Sequence, residues 1–164
     1  MKTLLVLRHA KSNWSHSGLA DHDRPLNERG ERDAPRVGNL VRRQRLIPDL
    51  IISSDAVRAR MTAEAVAGAA GYAGEIRLEP LLYGAGPDDI VAVLRAAPEP
   101  DMATVMVVGH NPGLEALVGQ LTGQRPDLPT AALVQIDLPI ERWRDLNGST
   151  PATLVELWQP KELE

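Results

Sequence analysis

The chain contains no cysteine and no phenylalanine. Without cysteine there can be no disulfides, no thiolate nucleophile and no cysteine-held zinc, and the absence fits a reducing compartment. Three Trp and two Tyr are the only large aromatic residues among 164, so the core must rest on Leu, Val, Ile and Ala. Such scarcity speaks against nucleic-acid modules that stack bases on exposed rings. Basic charge is not in excess either: 18 Lys and Arg face 22 Asp and Glu, a formal net charge of −4. Long-range attraction to nucleic acid or an acidic membrane is therefore missing, and any anion site must be local. No apolar run approaches the roughly 18 residues of a membrane span. The amino terminus lacks the apolar length and the small-residue cleavage site of a secretory signal. The sequence reads as a cytoplasmic protein with no membrane or nucleic-acid partner, expected to be a monomer.

What remains is an alternation of short apolar runs with helical patterns, the signature of a layered α/β fold. The length suits one domain over residues 1–164. Strands are expected at Thr3 to Leu7, Leu50 to Ile52, Ile76 to Leu78, Val105 to Val108, Leu133 to Leu138 and Thr153 to Trp158, the last two as candidates for a sheet edge. Residues 10 to 26 are polar and form a long loop, a length that favours function. Asn27 caps a helix running to about Arg45, in which Pro35 implies a kink or a restarted turn. Ser53, Ser54 or Asp55 caps the next helix, which carries Met61, Ala65, Val66 and Ala69 at helical spacing. A helix over Asp88 to Arg95 starts near Pro87, with Asp88 and Asp89 as capping residues. Asn111 as cap and Pro112 at the first helical position open a helix through Leu121. The tail from Gln159 is expected to be loose.

Chemistry gathers where strands end. The first run stops on Arg8-His9, so a buried strand delivers a cation and an imidazole at its carboxyl end, where open α/β sheets bind ligands. Val105 to Val108 ends on Gly109-His110-Asn111-Pro112-Gly113, just before a helix start that favours anions. Arg58 lies on the first turn of a helix that also follows a strand. Two imidazoles and two guanidinium groups on one rim point to phosphate chemistry. Ser12 and Asn111 stand beside them as further phosphate-binding candidates. His16 and His22 lie in the polar loop and read as solvated. His22-Asp23 has no companions at metal-ligand spacing, so neither metal nor cofactor is expected. Arg60 should face away from Arg58. Gly84-Ala85-Gly86 is a turn, since it opens no dinucleotide-binding helix.

Three motifs in order, Arg8-His9-Ala10-Lys11-Ser12, Arg58-Ala59-Arg60-Met61-Thr62 and Gly109-His110-Asn111-Pro112-Gly113, resemble the histidine phosphatase superfamily. Asp23-Arg24-Pro25-Leu26-Asn27-Glu28-Arg29-Gly30 adds to the likeness, which runs from Thr3 to about Leu138. It is closest to the short SixA-type phosphohistidine phosphatases. The resemblance implies a phosphoglycerate mutase-like α/β/α sandwich with a mostly parallel central sheet. It implies a metal-independent phosphatase in which His9 is the nucleophile, Arg8 and Arg58 clamp the phosphoryl oxygens and His110 donates to them. Ala10 stands where the family usually has glycine. Ester-cleaving members carry a carboxylate near the middle of the chain, often just before a Tyr-Gly. In Leu78-Glu79-Pro80-Leu81-Leu82-Tyr83-Gly84, Glu79 is the candidate general acid, one place off. The expected substrate is a phosphorylated histidine-containing protein. The alternatives are a small phosphorylated metabolite, cleaved or less readily rearranged, and a non-catalytic phosphate-binding module.

Overall fold

A computed structural model describes residues 1–14 and 18–163. His16 therefore lies outside the described residues. The element order is β1 (Lys2–Arg8), α1 (Glu28–Arg43), β2 (Leu50–Ser53), α2 (Val57–Ala70), β3 (Ile76–Leu78), α3 (Pro87–Ala96), β4 (Thr104–Gly109), α4 (Gly113–Thr122), β5 (Leu133–Leu138) and β6 (Thr153–Trp158). The six strands form one sheet in the order β3-β2-β4-β1-β5-β6. The pairings from β3 to β1 are parallel, and those of β5 with β1 and β6 are antiparallel. The expected α/β/α sandwich with a mostly parallel sheet is the architecture found. Only β6 of the last two strands is an edge; β5 is interior, between β1 and β6.

The apolar runs specify this sheet because they are buried on both faces. Leu4 and Val6 of β1, with Val105 and Val107 of β4, join one core cluster under α3 and α4. Leu5 and Leu7, with Met106 and Val108, join the other under α1 and α2. The chain leaves β1 toward α1 on one face and leaves neighbouring β4 toward α4 on the other. That reversal makes a crevice at the carboxyl ends of β1 and β4, the switch point where such sheets take ligands.

Several local expectations need correction. Pro35 neither restarts nor divides α1, which is continuous from Glu28 to Arg43. The missing N–H removes one helical bond, while Ala34, Val37, Leu40 and Val41 remain buried and hold the helix down. The α2 cap position falls on Ala56, whose N–H is taken by the Ser54 hydroxyl at 3.2 Å. Helix α4 begins at Gly113, with Pro112 in the cap position, so Asn111 does not cap it. The tail is docked rather than loose: Pro160–Glu162 form a 3-10 turn, Pro160 is buried and Leu163 packs on the second core cluster. Asn27 does cap α1, accepting from the Gly30 N–H at 2.9 Å, and Asp89 accepts from Gly86 at the start of α3.

Helices α1 and α2 touch most closely at Gly38. A Cβ there would lie 2.5 Å from the Val66 carbonyl oxygen and 2.7 Å from the Ala69 Cβ. Alanine gains about 1 kcal/mol of helix propensity over glycine, but overpacking against backbone costs about 1–3 kcal/mol. Gly38→Ala is expected to be the less stable protein, with a lower urea midpoint at unchanged slope. An unchanged or raised midpoint contradicts this close packing.

Candidate active site

Backbone hydrogen bonds carry the sheet one residue beyond its strands. The His9 N–H donates to the Gly109 carbonyl at 3.1 Å, and the Ser54 N–H to the Val108 carbonyl at 2.9 Å. The side chains that follow β1, β2 and β4 are thereby set side by side. The rings of His9 and His110 stand 5.1 Å apart between centroids, and the Ser54 Oγ lies 2.8 Å from His110 Nε2.

His9 is buried, and its Nδ1 lies 2.7 Å from the Ala10 carbonyl oxygen. A carbonyl only accepts, so Nδ1 carries the proton and Nε2 presents a lone pair. Arg58 Nε donates toward that lone pair at 3.4 Å. Burial foremost drives the His9 pKa down to about 3, with the charges of His110, Arg58 and Arg8 adding to it against the opposing carbonyl bond. His110 is lowered to about 4, by burial and then by Arg58. Both imidazoles are neutral at pH 7. Ser54 Oγ accepts the Ala56 N–H and is hydrogen-bonded to His110 Nε2. His110 Nδ1 is buried with no partner among the described residues.

Arg58 is also buried. Its Nη1 donates to the Asp21 carbonyl at 2.7 Å and its Nη2 to Asp21 Oδ2 at 3.0 Å. Thr62 on the next turn of α2 bonds both the Arg58 carbonyl and the Ala10 N–H, tying the helix to the loop after β1. The Asp21 carboxylate receives further bonds from Tyr83 Oη and from Arg24 Nε and Nη2. The Tyr83 hydrogen bond above all, then Arg24 and Arg58, holds its pKa far below the usual carboxylate range. Asp21 is ionised wherever the protein is folded near neutrality. Arg8 reaches the cluster from the other side: its Nη1 donates to the Leu128 carbonyl at 2.9 Å, and its buried Nε has no partner among the described residues.

The structure thus brings together Arg8, His9, Arg58 and His110. Ser12 lies at the rim, its hydroxyl oxygen accepting from Arg24 Nη1 at 2.7 Å. Asn111 Nδ2 donates to the same Leu128 carbonyl as Arg8, at 2.9 Å, so one peptide group fixes both side chains. Glu79 is not brought to the cluster. Its Oε1 accepts from the Leu81 N–H at 3.2 Å, capping the turn Pro80–Leu82, and it lines a different groove with Arg77 and Ala92. A local cap is satisfied two residues away, which draws the carboxylate off the site. His22 is not merely solvated: its Nε2 lies 2.9 Å from Asp55 Oδ1 and its ring packs edge-on to Tyr83. Arg60 turns away and pairs with Glu64. Asp21, Ser54, Tyr83 and Leu128 carry no sequence signal for a place at this site, apart from the Tyr83-Gly84 pair, which marks the carboxylate before it; Ser54 reads only as a cap candidate. Among the described residues no group of three His, Asp or Glu side chains is placed to hold a metal ion, and no helix is long and apolar enough to cross a membrane.

Comparison with known proteins bears on this geometry. Residues 4–83 match the profile of the histidine phosphatase superfamily (branch 1). A crystal structure from Agrobacterium tumefaciens, named provisionally as the phosphohistidine phosphatase SixA, is 30% identical and superposes with a TM-score of 0.82 over 97% of this chain and 98% of its own. A second SixA structure of the same provisional name, from Nakamurella multipartitia, is 31% identical with a TM-score of 0.81 over 97% and 96%. The chain belongs to the histidine phosphatase superfamily. An uncharacterized chloroplastic protein of Arabidopsis thaliana is 35% identical over 82% of this chain, which spans 66% of that relative's length. The matched stretch runs from Leu4 within β1 to Tyr83 and so includes Arg8, His9, the Asp21 turn and Arg58, while His110 lies beyond it.

The depressed histidines make stability depend on pH with a definite sign. Their folded pKa values lie below the ordinary 6.5, so the unfolded chain binds protons first as pH falls. Their contribution is full above pH 6.5 and is lost as pH drops toward 4 and 3. The urea midpoint is expected to fall from pH 7 to pH 4, and to fall less in His110→Gln. By proton NMR, His9 and His110 should remain neutral down to about pH 5. His22, raised by its bond to Asp55, should titrate above 6.5. Titration of His9 near 6.5 contradicts the arrangement described.

Proposed function

We propose that this protein is a metal-independent phosphohydrolase that works through a phosphohistidine on His9 and dephosphorylates phosphohistidine in a protein partner. The observation that carries the proposal is the bare His9 Nε2, buried, unprotonated and directed at Arg58. A neutral imidazole nitrogen is a competent nucleophile at pH 7, and a covalent intermediate divides one displacement into two easier ones. Phosphoryl transfer asks the protein chiefly for positioning and charge stabilisation. Arg8 and Arg58 supply the charge in place of a metal ion, and His110 is a donor for a phosphoryl oxygen as negative charge builds.

In the first step His9 Nε2 attacks phosphorus, the substrate P–N bond breaks, and the departing imidazole takes a proton from solvent. In the second, water attacks the phosphorus, the P–Nε2 bond breaks, and the water's proton returns to solvent. Inorganic phosphate and neutral His9 remain. The substrate class follows from what lies beside this centre. An alkoxide leaving from an ester needs a proton donor in the transition state, and the carboxylate at the site, Asp21, is held ionised by Tyr83, Arg24 and Arg58. Glu79 is engaged elsewhere. Imidazole is a much better leaving group and tolerates the lack of a strong acid. The His110 side of the site opens on a groove of about 300 Å³ lined by Gly84, Gly86, His110, Pro112, Ala116 and Arg125. Small residues on that wall leave access for a side chain presented by another protein. Such openness suits hydrolysis better than a mutase reaction, which must keep water from its phosphoenzyme.

Incubation with a radiolabelled phosphohistidine protein is expected to give an acid-labile, alkali-stable label that is absent in His9→Ala. Arg58→Ala should lower kcat/KM by about 10³-fold, the scale of removing a guanidinium from a phosphoryl-transfer site. Faster turnover of sugar or nucleotide phosphates than of phosphohistidine would make the protein an ester phosphatase. Phosphate binding with no label from any donor would make it a binding module.

A further inference from the structure

The five large aromatic side chains divide into two groups. Trp143 is buried with its Nε1 donating to the Met102 carbonyl, Tyr72 bonds the backbone at Ile51 and Glu75, and Trp158 packs on the core. These three have evident structural duties. Trp14 and Tyr83 do not follow them: they are 72% and 38% exposed. Both also sit one contact from the same carboxylate. Tyr83 Oη donates to Asp21 Oδ2. Trp14 lies on the Arg24 guanidinium, 3.4 Å from its central carbon, and Arg24 is bonded to Asp21 Oδ1. Leu19, two residues before Asp21, is 44% exposed as well.

Resting on the reading of the site as a protein phosphohistidine phosphatase, we propose that Trp14, with Leu19 and Tyr83, is the docking rim for the polypeptide segment that carries the phosphohistidine, and that this segment lays an apolar side chain on the open face of the Trp14 ring. Exposed Trp and Tyr are the side chains that most often anchor protein interfaces. Here the anchor is set in advance. Arg24 is buried and fixed by Ser12 and Asp21, so the underside of the indole rests on a rigid cation and loses little freedom when a partner arrives. The same cation selects what can lie above. A Lys or Arg on the opposite face would stand ~7 Å from Arg24 and be repelled by it, whereas an aliphatic side chain gains in proportion to the apolar surface it covers. Through Asp21 the rim adjoins Arg58, which puts the docked segment beside the phosphoryl site.

Three phosphohistidine peptides, identical except that the residues flanking phosphohistidine are Leu, Ser or Lys, test this. For the unmodified enzyme kcat/KM is expected to be about tenfold higher with Leu than with Ser, and lowest with Lys. Trp14→Ser should bring the three within about twofold of one another while leaving turnover of phosphoimidazole, which cannot reach the rim, unchanged. Equal rates for the three peptides with the unmodified enzyme overturn the proposal. So does a ranking that survives Trp14→Ser, or an equal loss with phosphoimidazole, which would make Trp14 only a prop for Arg24. Failure of the unmodified enzyme to cleave phosphoimidazole and all three peptides would sink the phosphatase reading instead. Calorimetric binding of the same peptides to His9→Ala then still decides the rim: the Leu, Ser, Lys order supports it, and equal affinities refute it.

Discussion

The parallel pairing of β1 with β4 is the constraint on which the site depends. Six residue pairs in register, from Thr3 with Thr104 to Arg8 with Gly109, bring two histidines a hundred residues apart in sequence to the same level. Each follows the last paired residue of its strand, and the ladder continues through the His9 N–H. The ring separation is thus set by backbone geometry and by a core buried on both sides. Loops contribute only what surrounds the rings. A catalytic arrangement held by a sheet is more precise than one held by loops alone.

On that frame the electrostatics run against ordinary pairing. Two guanidinium groups converge here: Arg58 is in contact with the Asp21 carboxylate, while among the described residues Arg8 has no carboxylate in contact and feels Glu115 only at longer range. The imidazoles answer by staying neutral, because burial and the nearby cations both penalise a further positive charge. Arg8 Nε and His110 Nδ1 are buried and lack partners among the described residues. Leaving such groups unpaired costs about 1–3 kcal/mol each. Under the proposed reading, that cost is retained because this cluster is kept for an anion rather than for the fold.

The sequence made the frame legible because strand and helix periodicities here are strong and uninterrupted. Strands β3, β5 and β6 run from the first to the last residue expected, and Arg8, His9, Arg58 and His110 were marked by the abrupt end of apolar runs. What could not be read was whatever depends on a partner far along the chain. Asp21 is one of two acidic residues in the polar loop, and its role exists only once Arg58, Arg24 and Tyr83 meet it. Leu128 acts through a backbone carbonyl, which has no side-chain signature. Ser54, one of three candidate caps, does accept a backbone N–H, but its neighbour across the switch point is His110. Glu79 shows the opposite case: its carboxylate is held by a local bond two residues away. Pro35 does not break α1, because the burial that holds the helix down outweighs the local penalty.

The clamp and the missing acid are two consequences of one interaction. Arg58 is buried, and a buried cation needs a fixed anion nearby; removing one partner of such a pair typically costs 3–5 kcal/mol. Asp21 serves as that anion and orients the guanidinium through both its carboxylate and its carbonyl. A carboxylate that stabilises a cation in this way cannot also hold a proton near neutrality, since the same bonds that position Arg58 favour the ionised form. Asp21 is therefore not a proton donor near neutrality. If Arg58 holds a phosphoryl group as proposed, securing it with Asp21 favours leaving groups that depart without strong acid catalysis, and that preference separates phosphoramidates from alkyl phosphates.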